Sequence, residues 1–197
     1  MSTSTTTSDR YPGSVQLPDG TDVELRRLVP GDRDAVLAFA RNLPPEDLLF
    51  LRRDLTQESV VDDWMESVAD GRSTTLAACD GSGLVGYAAI HREQAPWTRR
   101  VGEIRVNVAA GYRGRGLGRV LIGRIFDHAH ELGLRKLVAQ MTVDQHGARA
   151  AFRRLGFVPE ALLADYVEDR EGTTRDLVLM TYSVDGHSDV VAEPLRV

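Results

Sequence analysis

The stretch YRGRGLG, residues 112–118, combines three alternating glycines with two arginines. It follows a strand-like run, VGEIRVNV (101–108), and opens a run in which apolar residues recur at helical spacing. In the first turn of a helix the backbone N–H groups have no partner within the helix, and the helix dipole adds partial positive charge. Glycines let a ligand approach such a backbone closely, and arginines add further charge. The residues therefore indicate a phosphate-binding turn.

Two better-known phosphate motifs do not match this stretch. A Walker loop needs Gly-Lys followed by Ser or Thr, which the sequence does not contain. The dinucleotide fingerprint needs a glycine at the position where Arg119 stands. A glycine-rich turn with solvated arginines and no ligand is the alternative interpretation of the residues alone.

Arg113 to Gly118 resembles the R/Q-x-x-G-x-G/A loop of the GNAT superfamily of N-acetyltransferases. Leu155-Gly156-Phe157 is similar to the Gly-Phe that closes the domain in that family. The resemblance covers residues 101–157 by motif and most of 22–184 by the order of elements. It implies a single α/β domain with a central mixed, mostly antiparallel sheet flanked by about four helices. It also implies acetyl-CoA as cosubstrate, with its pyrophosphate held by the loop amides.

The resemblance further implies which residues bind acetyl-CoA. The end of strand 101–108 is expected to bond the pantetheine arm and to point an amide at the thioester oxygen, where it stabilises developing charge. Residues 144–148 are expected to part this strand from the next, with Gln145 where the family often has Asn. The expected cofactor-binding set is Val106, Asn107, Val108, Arg113, Gly114, Arg115, Gly116, Leu117, Gly118, Arg119, Gln145, Ala148 and Phe152.

Attack of an amine on a thioester needs a base, because an ammonium group of pKa about 10 has no free lone pair at neutral pH. Glu103 shares one face of its strand with Arg105 and Asn107. A carboxylate at this place is the base in part of the family, which makes Glu103 the candidate base. An ion pair with Arg105 or another arginine is the alternative interpretation, and both stay open.

The group that protonates the departing thiolate is less evident. Many relatives carry a tyrosine four residues before the closing Gly-Phe, whereas this chain has Phe152, which suits a core or CoA-facing role. Tyr166 is taken as the catalytic candidate and Tyr182 as a second substitute. Water is a further alternative, since a thiol of pKa about 8.5 gives a tolerable leaving group. An acyl-CoA-binding module without turnover is the alternative function.

Residues 46–70 suggest a charge preference for the acceptor. They contain eight acidic residues against Arg52 and Arg53. In the family the early helices form one wall of the acceptor cleft, and an acidic wall would attract a cation. We expect a primary amine as acceptor, either a cationic small molecule or a protein lysine or N-terminus, with a merely solvated face as the alternative. Monomer and homodimer are both left open.

Hydrophobic patterning predicts the elements that position these residues. The predicted strands are 22–28, 74–80, 84–93, 101–108, 136–143, 162–167 and 174–184. The predicted helices cover about 35–40, 57–69, 117–132 and 148–155, and segment 43–55 is predicted to be a loop or irregular helix. This order is typical of an α/β sandwich on a mixed sheet.

Length and composition narrow the number of domains, the class of partner and the compartment. A chain of 197 residues with 42% hydrophobic content is expected to form one domain, here residues 14–184, between flexible tails at 1–13 and 185–197. A net charge of −5 is evidence against a general nucleic-acid binder. The single cysteine, Cys79, fits a reducing compartment and is predicted to lie buried in a strand.

Targeting and metal signals are equally weak in the sequence. The start, MSTSTTTSDR, does not resemble a secretory signal, and no apolar run is long enough for a membrane span. We therefore expect a cytoplasmic protein without a membrane partner. The histidines show no metal-ligand spacing, and we expect no metal.

Overall fold

The computed structural model describes residues 13–48, 51, 53–93, 95–169 and 172–186. The strands are β1 (Gly13–Gln16), β2 (Asp22–Arg27), β3 (Ser73–Asp80), β4 (Gly83–His91), β5 (Val101–Val108), β6 (Lys136–Thr142), β7 (Val158–Glu168) and β8 (Thr174–Ser183). The helices are α1 (Arg33–Arg41), α2 (Pro45–Leu48), α3 (Glu58–Ala69), α4 (Leu117–Glu131) and α5 (His146–Arg154). The predicted tails, apart from residue 13 and residues 185–186, lie outside the described residues.

All eight strands form one sheet in the order β1-β2-β3-β4-β5-β6-β8-β7. Every neighbouring pair is antiparallel except β5 and β6. In the described part of the chain, four helices of nine residues or more accompany the sheet, together with the single turn of α2. The predicted single α/β domain on a mixed, mostly antiparallel sheet is confirmed.

Three local predictions differ from the structure. Strand β1 was not predicted, and β7 begins at Val158 rather than at residue 162. Pro159 is tolerated there because β7 is an edge strand and its register with β8 shifts directly after this residue. Cys79 is half-buried rather than buried, at a register shift between β3 and β4. Burial still raises the pKa of its thiol, which disfavours the reactive thiolate.

Alternation along the strands divides the hydrophobic core into two halves, one on each face of the sheet. Ala88, Ile90 and Ile104 belong to the half that packs on α4. Tyr87 and Ala89 belong to the half that packs on α1 and α3. Helix α4 buries residues spaced by three or four positions, namely Leu117, Leu121, Ile122, Ile125 and Ala129. Each buried Leu or Ile stabilises the fold by roughly 1.5–3 kcal/mol.

The sheet opens between β5 and β6. These strands pair only over three positions, from Val101↔Lys136 to Glu103↔Val138. Beyond them β5 stays paired with β4 as far as Val108, and β6 stays paired with β8 as far as Thr142. The diverging strands leave a gap, which we call the wedge. Backbone groups of residues 104–108 that face the wedge have no place in the β5–β6 ladder.

Candidate active site

Two cavities meet at the wedge. The interstrand cavity has a volume of about 460 Å³ and lies between β5, β6, α5 and β7. The sheet-face cavity has a volume of about 400 Å³ and lies on the α3 side of β4 and β5. Glu103, Arg105 and Gln140 line both cavities. A ligand in one cavity can therefore reach a ligand in the other at these three side chains.

The predicted cofactor-binding residues fall into two groups. Those that line the interstrand cavity are Val106, Asn107, Gln145, Ala148 and Phe152. Val108 and the turn of residues 113–119 line neither cavity but follow directly at the end of β5. Arg113 Nε donates a hydrogen bond of 3.1 Å to the Val108 carbonyl, which joins the turn to the strand. The structure thus brings the turn, the wedge and Glu103 into one line along β5.

The turn between β6 and α5 sets one wall of the interstrand cavity. Gln145 Oε1 accepts a hydrogen bond of 3.0 Å from the backbone N–H of Thr142. Arg149 Nη1 donates a hydrogen bond of 2.7 Å to the Val143 carbonyl. Both bonds hold the start of α5 against the end of β6. The spacing of Gln145, Ala148 and Phe152 then places all three on one helix face, towards the cavity.

The backbone conformation of the glycine turn requires glycine at two positions, even without a ligand. Gly114 and Gly116 have φ values of 72° and 92°, in the left-handed region that favours glycine. A Cβ at Gly116 would also lie 3.0 Å from Cδ of Pro18. At Gly118 a Cβ would meet only Cγ2 of Val108 at 3.8 Å, an ordinary contact. A large side chain at position 116 would therefore disturb the fold before any ligand is present.

The three arginines of the turn differ in their partners. Arg113 forms an ion pair with Asp47, and Arg115 forms one with Asp19. The bond from Arg115 lowers the pKa of Asp19 to about 2. Arg119 is exposed and has no hydrogen bond or ion pair to another residue that the structure describes. Two arginines thus brace the turn, and Arg119 has its guanidinium open to solvent.

Glu103 and Arg105 form an ion pair, which was one of the two interpretations of Glu103 from the sequence. Arg105 Nε and Nη2 donate to Oε1 of Glu103 at 3.0 Å and 2.9 Å. The Glu103 and Arg105 side chains are only 19% and 25% exposed. Because Glu103 also lines both cavities, the ion pair does not remove it from the candidate site. Its role as a base stays a prediction.

The two candidate tyrosines lie in different places. Tyr166 is 64% exposed and lines the interstrand cavity. It sits in an irregular part of β7, next to Asp165, whose φ of 50° is unusual for a residue other than glycine. Tyr182 instead stacks on Phe126, with ring centroids 4.7 Å apart, and lines neither cavity. Tyr182 is therefore a packing residue.

Phe152 combines the two roles that the sequence suggested for it. It is 8% exposed and meets Phe157 edge-on, with ring centroids 4.9 Å apart. It also lines the interstrand cavity. A side chain that belongs to both the core and the cavity wall offers a rigid apolar surface but no proton.

Sequence reasoning missed the ring side chains of the sheet-face cavity, Trp64, Tyr87 and His91. Tyr87 and Trp64 lie with ring centroids 4.9 Å apart, and Asn107 Nδ2 donates to Tyr87 Oη at 2.7 Å. Burial raises the pKa of Tyr87 to about 12. Strand alternation in 84–93 places Tyr87 and His91 on one face, but it does not reveal which strand lies beside them.

The acidic residues of segment 46–70 do not form the expected wall. Arg33 binds Asp62 at 2.5 Å and Glu58 at 3.0 Å, and Arg53 pairs with Asp63. None of these acids whose side chains are described lines either cavity. The segment is an arginine-paired surface, as the alternative interpretation held. The Glu46 side chain and Arg52 lie outside the described part.

The described residues carry neither a metal-binding cluster nor a membrane-spanning helix. They contain no group of three or more His, Cys, Asp or Glu side chains that could hold a metal ion. None of their helices is both long enough and apolar enough to cross a membrane.

Comparison with known proteins agrees with this geometry. The family model for the acetyltransferase (GNAT) family matches residues 38–157, and the chain belongs to this family. Streptothricin acetyltransferase from Streptomyces lavendulae is 37% identical over 89 residues, which are 45% of this chain and 46% of the relative. Mycothiol acetyltransferase from Corynebacterium glutamicum (strain R) is 32% identical over 85 residues, 43% of this chain and 28% of the relative. Each match spans less than half of the relative's length.

Solved structures share the fold at lower sequence identity. The GNAT-family acetyltransferase from Streptococcus pneumoniae superposes with a TM-score of 0.71 at 22% identity, covering 82% of this chain and 99% of that one. The yncA protein from Salmonella typhimurium, solved with its cofactor acetyl-CoA, gives a TM-score of 0.72 at 22% identity and covers 87% and 99%.

Proposed function

We propose that the protein is an acetyl-CoA-dependent N-acetyltransferase, which transfers an acetyl group directly to a primary amine in a ternary complex. The observation that carries this proposal is the meeting of two cavities at Glu103, Arg105 and Gln140. One cavity follows β5 towards the glycine turn, and the other lies on the sheet face. Direct transfer needs two binding spaces that share one wall, so that the reacting atoms are held close together.

For acetyl-CoA, we propose that the pantetheine arm lies in the wedge and the pyrophosphate at the start of α4. The arm carries amide groups along its length. The wedge offers backbone groups of residues 104–108, which lie outside the β5–β6 ladder and can bond these amides. Ala148 and Phe152 supply an apolar side to this space. The start of α4 offers N–H groups without helical partners, and Arg119 adds a positive charge. The chain's residues therefore fit an extended anionic cosubstrate.

For catalysis, we propose that Glu103 receives the ammonium group of the acceptor at the junction of the cavities. A carboxylate there attracts and orients the cation, which must lose a proton before it attacks the thioester. A backbone N–H near the end of β5 is the proposed donor to the thioester oxygen. Tyr166 is the proposed proton donor to the departing thiolate, because it is exposed and lines the same cavity as Glu103.

The proposed acceptor is a compact primary amine, with a protein lysine or N-terminus as the other member of the class. The curated relatives are named for streptothricin and mycothiol, which supports a discrete molecule as the acceptor. A sheet-face cavity of about 400 Å³ is also within the range typical of sites for small ligands.

The single cysteine, Cys79, supports a cytoplasmic setting.

Thiol release tests this proposal. Acetyl-CoA should bind in titration calorimetry, and free thiol should appear when a panel of amines and lysine peptides is added. Phe152, in place of a tyrosine, favours one competing function, an acyl-CoA-binding module. Binding without thiol release from any acceptor would support that module, and absence of binding would contradict both functions.

A further inference from the structure

The sheet-face cavity contains a second titratable side chain beside Glu103, which is His91 at the end of β4. In the β4–β5 register, His91 lies directly opposite Glu103. Both side chains line the cavity. Residues directly opposite each other in an antiparallel pair have Cβ atoms about 4.5–5.5 Å apart. The imidazole and the carboxylate are therefore neighbours on the wall that an acceptor would face.

The imidazole shares the cavity with an aromatic ring and with five charged side chains. Its ring centroid lies 6.1 Å from that of Trp64, and His91 is partly buried. The charged side chains that line the same cavity are Arg53, Arg92, Glu93, Glu103 and Arg105. Arg53 pairs with Asp63, Arg92 donates to the Gly71 carbonyl, and Arg105 binds Glu103. These contacts give each arginine of the cavity a partner other than the imidazole.

The chemistry of proton removal favours the imidazole over the carboxylate. A base is most effective when its pKa lies near the working pH, and an imidazole ordinarily has a pKa of about 6.5. A carboxyl group ordinarily has a pKa of about 4.3. In addition, Oε1 of Glu103 already accepts two N–H bonds from Arg105. Glu103 is thus well placed to hold and stabilise a cation beside it.

We propose that His91 is the base that deprotonates the acceptor amine, and that Glu103, held by Arg105, orients the ring and stabilises the imidazolium. This inference rests on the proposed N-acetyltransferase function. The imidazole takes one proton from the ammonium group and leaves a neutral amine. The amine nitrogen forms a bond to the thioester carbon, the C–S bond breaks, and its electron pair goes to sulfur. The nitrogen's next proton passes to the thiolate, through Tyr166 or water, and His91 returns its own proton to water.

His91→Gln tests the assignment against a matched change, His130→Gln, at an exposed residue of α4 that lines neither cavity. We expect kcat/KM to fall by about 10²–10⁴-fold in His91→Gln and to stay unchanged in His130→Gln. Calorimetric affinity for acetyl-CoA should stay the same in both, which also shows that both are folded. In the wild type, kcat/KM should rise with pH through a limb that reports the base, and that limb should vanish in His91→Gln.

A rescue experiment separates a base from a merely structural histidine. Free imidazole added to His91→Ala should restore part of the lost rate, because it can enter the space left by the ring. A folded His91→Gln with wild-type rate and wild-type pH limb would overturn the assignment and leave the proposed function standing. Failure of imidazole to restore any rate would also count against it. A wild type that binds acetyl-CoA but releases no thiol overturns the proposed function and His91's role together.

Discussion

The Glu103 carboxylate has two neighbours, Arg105 and His91, and each neighbour suggests a different role for it. Arg105 holds one carboxylate oxygen, and His91 faces the carboxylate from the neighbouring strand. An ion pair of this kind keeps a charged group oriented in a partly buried place, where the local dielectric strengthens its effect on a nearby cation. The proposed chemistry therefore uses a side chain that also has a structural partner, and a test has to separate the two roles.

Glu103→Gln should lower turnover by about 10²–10⁴-fold, because the amide keeps the size of the side chain but loses its charge. Affinity for acetyl-CoA, measured by calorimetry, should hardly change. Arg105→Gln is the matched variant, since it breaks the same ion pair and leaves the carboxylate. A larger loss in Glu103→Gln than in Arg105→Gln indicates a catalytic carboxylate, whereas equal losses indicate that the pair acts only through its structure.

At the scale of elements, helix α4 connects the two properties of the glycine turn. Its first turn offers free N–H groups to a ligand, while its buried face fixes the turn to the sheet. Near its other end, His128 is 1% exposed, within hydrogen-bond distance of Glu131. One helix thus carries the proposed anion-binding end and a buried titratable group.

Arg119→Gln should weaken acetyl-CoA binding by roughly tenfold, because one charge-assisted hydrogen bond to the pyrophosphate is lost. Arg124→Gln, further along the same helix, is the control and should bind like the wild type. Acetyl-pantetheine, which has no pyrophosphate, should bind Arg119→Gln and wild type equally in the same calorimetric assay. Equal loss with both ligands would contradict a pyrophosphate contact at Arg119.

His128 should make the fold sensitive to mild acid. Burial lowers its pKa, so below about pH 6.5 the unfolded chain binds the proton more readily than the folded chain. This contribution to stability is complete above the unfolded pKa and is lost as pH falls towards the folded pKa. Urea unfolding between pH 8 and 5 should therefore show a flatter pH dependence in His128→Gln than in wild type. In His130→Gln the slope should match the wild type.

Hydrophobic periodicity predicted most strands and helices, because this periodicity depends on residues that are close together in the sequence. Register and long-range pairing are different, since they depend on how distant segments meet. Arg115 binds Asp19, 96 positions away in the chain, and so braces the turn. His91 became a candidate only when the β4–β5 register placed it opposite Glu103. The turn was predictable from the sequence, and the acceptor side was not.

For the whole molecule, the net charge of −5 gives little guidance to the acceptor site. Several acidic side chains of segment 46–70 pair with arginines that line neither cavity, as Asp62 does with Arg33. Glu93 and Glu103 are the carboxylates that line the sheet-face cavity. The local field that an acceptor meets is therefore set by these two groups and the arginines around them.

Glu93→Lys and Asp62→Lys reverse the same charge at a lining position and at an outer position. For a cationic acceptor, KM should rise by roughly tenfold in Glu93→Lys because of repulsion at close range. In Asp62→Lys, KM should stay near the wild-type value, with only a small loss of stability. Steady-state kinetics at low and high salt measures both, and added salt should shrink the Glu93→Lys effect. A raised KM in Asp62→Lys would restore the acidic wall as an explanation.

The three-position pairing of β5 with β6 also has a mechanical meaning. It divides the sheet into two panels, β1–β5 and β6–β8, each with a continuous antiparallel ladder of its own. Within the sheet, the two panels are connected at the three paired positions of β5 and β6, which form a hinge between them. An acyl donor that bonds to β5 while touching α5 would fasten the two panels together. The cosubstrate would then be a structural tie as well as a reagent, and the protein would be stiffest when it is ready to react.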